Sequence, residues 1–132
     1  MARRLTIPLI VIALTVTGCV RTTATQGYHD IRANWSFGTL EAKLPEGYRA
    51  GDVAAAAESA LTRMGYTVTD RAESEQRATL EARQSGSAVF EKVVVRATPD
   101  GRRVRLKISV RPMGDEDSAR ILLDEMLVLL GL

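Results

Sequence analysis

Residues 92–111, KVVVRATPDGRRVRLKISVR, decide the fold. Two runs rich in β-branched residues flank Pro99-Asp100-Gly101, and that combination is a hairpin signal. The spacing predicts strands over 88–98 and 103–111. Folding one run onto the other sets Ala97 near Val104, Val95 near Leu106 and Val93 near Ile108. All six then share one face, which is what a half-buried sheet requires. The residues between them, among them Arg96, Arg105 and Lys107, fall on the other face.

Working outward from the hairpin, Ala78, Leu80 and Ala82 alternate with Arg77, Thr79, Glu81 and Arg83, another half-buried strand. Gln84 to Ser87 reads as a turn, and so does the polar stretch Asp70 to Glu75. Tyr66 to Thr69 is a short strand with Tyr66 and Val68 inward. Over residues 34–44, Leu40, Ala42 and Leu44 alternate with Thr39, Glu41 and Lys43, and Pro45-Glu46-Gly47 breaks the run. From about 50 to 64 the apolar positions Val53, Ala56, Ala57, Ala60, Leu61 and Met64 make one helical face. Asp52 suits the N-terminal end of that helix, and Gly65 stops it. A last helix spans roughly 116–130, capped by Asp115. Its apolar surface is wide. Either the small domain buries most of this helix, or Leu122, Met126 and Leu129 pack on the sheet and leave Leu123, Leu127 and Leu130 as a surface for a partner. The order β-α-β-β-β-β-α predicts an α+β domain, an antiparallel sheet of about four to five strands with two helices on one face.

The N-terminus carries a different signal. Arg3 and Arg4 precede an apolar run, Leu5 to Val16, and then Val16-Thr17-Gly18-Cys19. A short positive segment, an apolar stretch of about 7–15 residues and small residues before a cut make an export signal. The run is too short to span a bilayer, which takes about 20 apolar residues. A cysteine directly after the small residues resembles the lipobox of bacterial lipoproteins. That resemblance implies cleavage before Cys19 and a diacylglycerol on its sulfur. Val20, where retained lipoproteins carry Asp, implies delivery to the outer membrane, facing the periplasm. The expected organisation is a signal peptide over 1–18, the lipidated Cys19 with a polar tether over 19–33, and one domain over 34–132. Of the 18 basic residues, Arg3 and Arg4 leave with the signal, bringing the rest level with the 16 acidic ones. Net charge therefore gives no argument for a nucleic-acid partner.

The strand Phe37-Gly38-x-Leu40, the helix end Ala60-Leu61-x-x-Met64-Gly65-Tyr66-x-Val68 and the strand Val104-x-Leu106-x-Ile108-x-Val110 add to the lipobox. With Gly114-Asp115-Glu116-x-Ser118-x-x-Ile121-Leu122 they resemble a family of small bacterial lipoproteins of unknown function. The resemblance implies a fold and a location, and carries no catalytic residues.

The residues themselves predict a protein that is not an enzyme. The single histidine, His29, falls in the tether, so no histidine-based triad or His/Cys metal site can form in the domain. No cofactor motif is present. Asp115-Glu116-Asp117 reads as a helix start, since a calcium loop needs more oxygen ligands at regular spacing. The feature with chemical content is the outward face of the last three strands. Arg77, Arg83, Lys92, Arg96, Arg103, Arg105, Lys107 and Arg111 share it, with Glu81 as the main acid. Trp35, Phe37 and Lys43 join them if the first strand enters the same sheet. Two functions follow as expectations. One is a structural or accessory envelope role through a protein partner. The alternative is a module that binds anionic lipid or lipopolysaccharide on the basic face.

Overall fold

The computed structural model describes residues 21–84, 91–112 and 114–132. The signal segment, Cys19 and the turn residues 85–87 lie outside them. Among the described residues seven strands and two helices are formed. These are β1 (Thr22–Gln26), β2 (Ile31–Ser36), β3 (Thr39–Lys43), α1 (Ala50–Arg63), β4 (Tyr66–Glu73), β5 (Ala78–Gln84), β6 (Lys92–Asp100), β7 (Arg103–Arg111) and α2 (Glu116–Leu130). All seven strands pair antiparallel in one sheet, ordered β1-β2-β3-β7-β6-β5-β4. Helix α1 lies against β4, β5 and β6, α2 against β7 and β3, and the helices touch each other. One sheet face is thus roofed and the other is open.

The sheet is larger than the four to five strands expected, and both additional strands come from the N-terminal part. Residues 34–44 are not one strand. Phe37 and Gly38, at φ 51° and 74°, form a two-residue turn that separates β2 from β3, with Ser36 opposite Thr39. Primed turns of this kind normally carry Asn-Gly or Gly-Gly, so Phe-Gly hides the turn from a sequence reading. The expected tether holds β1 and the first half of β2. Its strand Thr-Thr-Ala-Thr-Gln is an edge with mostly exposed residues, so no apolar alternation marks it. Arg120 and Gln26 fasten this edge to α2. Gln26 Nε2 donates to Arg120 O at 2.8 Å and to Asp124 Oδ1 at 2.8 Å, and Arg120 Nη2 donates to Thr22 O at 3.2 Å.

Three further expectations are corrected. Asp70 to Glu73 is strand. A bulge at Thr69 shifts the register between Val68 and Asp70, which inverts the alternation and hides the strand. Arg71 thereby turns to the helix side, where it pairs with Glu58 of α1 and with Glu73. The hairpin register also moves by two residues: Ala97 faces Leu106, Val95 faces Ile108 and Val93 faces Val110. Pro99 and Asp100 belong to β6, and the loop is Gly101-Arg102, with Gly101 at φ 62°. A slip of two leaves each side chain on its predicted face. In α2 the split into sheet-facing and partner-facing leucines does not hold, and the other reading, burial of most of the helix, does. Leu123 and Leu127 are fully buried and Leu130 packs partly against the core, whereas Leu129 is exposed. This helix buries a wide arc because it meets both the sheet and α1.

The inward alternation holds. Leu40, Ala42, Leu80, Ala82, Val95, Leu106 and Ile108 are all at most 3% exposed. Five alanines of α1 are buried with Val53 and Leu61, small enough to bring the helix close to the sheet. Asp115 caps α2, accepting from Ser118 N at 3.2 Å and Ser118 Oγ at 2.7 Å. Those bonds hold its carboxyl below the usual range.

Leu106→Ala should cost about 2–5 kcal/mol as a core truncation. Lys107→Ala, one residue on and facing out, should stay within about 0.5 kcal/mol. Urea melts of the two variants check this, and a reversed ranking would place the opposite face inward.

Candidate anion-binding face

The open face is read off the ladder pairings. Glu41 of β3 stands opposite Lys107 of β7, Lys107 opposite Arg96 of β6, and Arg96 opposite Thr79 of β5. Four residues toward one end, past the row of Ser109, Val94 and Glu81, Arg111 stands opposite Lys92 and Lys92 opposite Arg83. Toward the other end lie Lys43 opposite Arg105, and Arg103 opposite Asp100. Arg77, just before β5, lines a hollow with Arg96, Thr98 and Lys107. All eight residues predicted for the basic face therefore stand on one surface.

Part of its charge is neutralised locally, beyond what Glu81 alone could supply. Asp100 is an outward strand residue and accepts from Lys43 Nζ at 2.8 Å and from Arg105 Nη2 at 2.9 Å. The Lys43 bond, then the Arg105 bond, holds the Asp100 carboxyl below the usual carboxylate range. Asp100 likewise raises the Arg105 guanidinium above its ordinary value, and Glu41 adds a contact at 3.4 Å. Lys92 pairs with Glu81 at 3.0 Å. Exposed pairs of this kind trim the field more than they stabilise the fold. The hollow over Lys43 and Arg105 also contains Asp30 and Glu41. It is a mixed surface.

The centre of the face differs. Arg96 and Lys107 are directly opposed, and neither has an ion pair within 4.0 Å among the described residues. Like charges directly across a ladder destabilise a sheet. Both residues wall two adjoining hollows. One, of about 450 Å³, also holds Arg77, Thr79 and Thr98. The other, of about 270 Å³, is edged by Phe37, Arg111, Thr39, Ser109 and the carboxylate of Glu41. Thr39 Oγ1 and Ser109 Oγ lie 3.0 Å apart. Guanidinium forks, an ammonium and hydroxyl donors facing one space are the groups that hold a phosphate.

Trp35 is not part of this face. It is paired with Leu40, so it points to the helix side and packs against the core. The turn at Phe37 makes that inversion. Phe37 itself edges the smaller hollow, and Lys43 is on the open face but bound to Asp100. The sequence reading missed Asp100, because it placed that residue in the loop. His29 sits exposed in the β1–β2 turn, where its N–H donates to Leu132 O at 3.1 Å. Asp115 and Glu116 are engaged by Ser118 and Arg120 respectively.

A family model described as a protein of unknown function (DUF3568) matches residues 4–126. The chain belongs to this uncharacterised family. No curated protein matches it. The match runs from the N-terminal segment into α2, so it covers the whole sheet and its open face.

Replacing Arg96 with Glu puts a carboxylate opposite Lys107 and beside Arg77. It should raise stability by about 0.2–1 kcal/mol, the size of a cross-strand pair. A rise in the urea midpoint with an unchanged slope would show that the native pair is held against local stability. A fall would mean that Arg96 carries packing of its own.

Proposed function

We propose that the chain is a lipoprotein of the bacterial cell envelope, anchored through Cys19 and facing the periplasm from the outer membrane. Its domain works by binding, without catalysis, and its open sheet face takes an anionic lipid or the phosphates of lipopolysaccharide. The observation that carries this reading is the opposed Arg96–Lys107 couple, without an ion pair among the described residues, at the junction of two hydroxyl-lined hollows. Stability alone does not account for placing two cations there. A phosphate between them offsets their repulsion and satisfies both. Each Lys or Arg near an anionic surface adds about 1 kcal/mol of attraction.

A second reading, a structural role through a protein partner, uses another surface. Ile121, Val128 and Leu129 of α2 are 53%, 66% and 38% exposed. Tyr28, 95% exposed, lies with Val128 around a shallow hollow at the C-terminus. This strip is on the roofed side, so the two readings can be separated by where substitutions act.

The domain 20–132, without lipid, should bind vesicles containing phosphatidylglycerol at low salt and release them as salt rises. Exposed attraction is screened within about 8 Å at physiological ionic strength. Arg96→Glu should abolish this binding while the domain stays folded. If vesicles and lipopolysaccharide are both ignored at low salt, the basic face is a solvated surface and the protein-partner reading stands.

The anchor has its own test. Cells fed clickable palmitate should label the wild-type chain and not Cys19→Ala. Equal label in both would exclude lipidation at Cys19.

A further inference from the structure

Phe37 is out of place for folding reasons alone. Its side chain is 84% exposed and its backbone sits at φ 51°. Positive φ is uncommon for residues other than glycine and strained for a bulky one, and asparagine or glycine normally fills this turn position. No burial repays the strain. An outlier of this kind points to a function of the side chain.

Its position in the fold says which function. The pairing of Thr22 with Trp35 puts the start of β1 at the same sheet end as the Phe37–Gly38 turn. Cys19 precedes Thr22 by three residues. A fully extended chain covers at most about 3.6 Å per residue, so a lipid on Cys19 would hold this end within roughly 11 Å of its own glycerol. The Gly101–Arg102 loop and Tyr28 are at the opposite end. Phe37 also edges the open face, where it shares a hollow with Arg96, Lys107 and Arg111. Glu41 in that hollow is turned to Arg105. Of the acids near this end, Glu81 is paired with Lys92, Asp115 and Glu116 are on the helix side and are engaged by Ser118 and Arg120, and Glu91 directly precedes Lys92.

We propose that this end of the domain docks onto a bilayer containing anionic lipid, with Phe37 inserted as an apolar prong and Arg96, Lys107 and Arg111 over the headgroup phosphates. The inference rests on lipidation of Cys19, and it adds an orientation. The acyl chains supply the attachment, while Phe37 and the cations lay the open face toward the membrane. An aromatic ring suits the headgroup level of a bilayer, and basic residues beside it suit the phosphates.

The test uses the full lipidated chain in phosphatidylethanolamine vesicles containing phosphatidylglycerol. A thioether on Cys19 cannot take a thiol reagent, so Phe37→Cys or Arg102→Cys provides the one site for a nitroxide label. Both positions are exposed, and unchanged melts check that both variants fold. The label at 37 should lose collisions with a water-soluble nickel chelate and gain collisions with oxygen. The label at 102 should stay fully open to the chelate. Vesicles of phosphatidylcholine alone, or Arg96→Glu with Lys107→Glu, should return the label at 37 toward water. Chain that floats with the vesicles while both labels remain equally open to the chelate overturns the docking and leaves the anchor intact. Chain that does not float and carries no palmitate overturns the anchor, and the docking with it.

Discussion

The period of two along β7 is the constraint on which the rest depends. Val104, Leu106, Ile108 and Val110 are all buried under the helices, and Arg103, Arg105, Lys107, Ser109 and Arg111 alternate with them on the open face. β7 is also the central strand of the seven, with β3 on one side and β6 on the other. Its apolar row therefore sets the floor of the core, and its cationic row sets the chemistry of the free surface. Neither row can move without the other. A shift of one residue would bury five polar side chains and expose four apolar ones.

That coupling explains what could be read from the sequence. The β6–β7 hairpin, β5 and α1 each carry a strong period that gives the correct face. The two-residue error in the hairpin register did no harm to the face assignment, because two is the repeat of a strand. The same error hid Asp100, however. Placed in a loop, it had no partners. As the last residue of β6 it binds Lys43 and Arg105 and quietens that end of the face. The concentration of unpaired charge at Arg96 and Lys107 therefore depended on a register that composition and spacing did not resolve.

The N-terminal part was hidden for a different reason. β1 is an edge strand with little burial, so it has no apolar row to reveal it. It is held by hydrogen bonds from Gln26 and Arg120, contacts between residues 94 and 98 positions apart. Such contacts leave no local trace. β2 does bury Ile31 and Ala33, but its continuation into β3 masks the reversal. With Phe37 at the turn instead of asparagine or glycine, two short strands read as one longer strand. The reversal then packs Trp35 against the core, two residues from the exposed Phe37. A sequence that breaks a local preference without a packing reward is where function is expected to sit.

The loss of the tether alters the physics of the proposed anchor more than it alters the fold. A free segment from Cys19 to Ala33 would let the domain turn in every direction, far beyond the reach of screened charge. With β1 beginning at Thr22, only Val20 and Arg21 separate the proposed lipid site from the sheet. Their span, roughly 11 Å with the flanking bonds, is comparable to the ~8 Å Debye length at physiological ionic strength. A domain tied so closely cannot be indifferent to the charge of the surface beneath it. Its faces differ: the open one has the Arg96–Lys107 couple, and the exposed side of α2 has Asp117, Asp124 and Glu125 among its apolar residues. An anionic bilayer attracts the first and repels the second. On the proposed lipidation of Cys19, so short a connection turns this uneven charge pattern into a preferred orientation, the one that Phe37 then fixes.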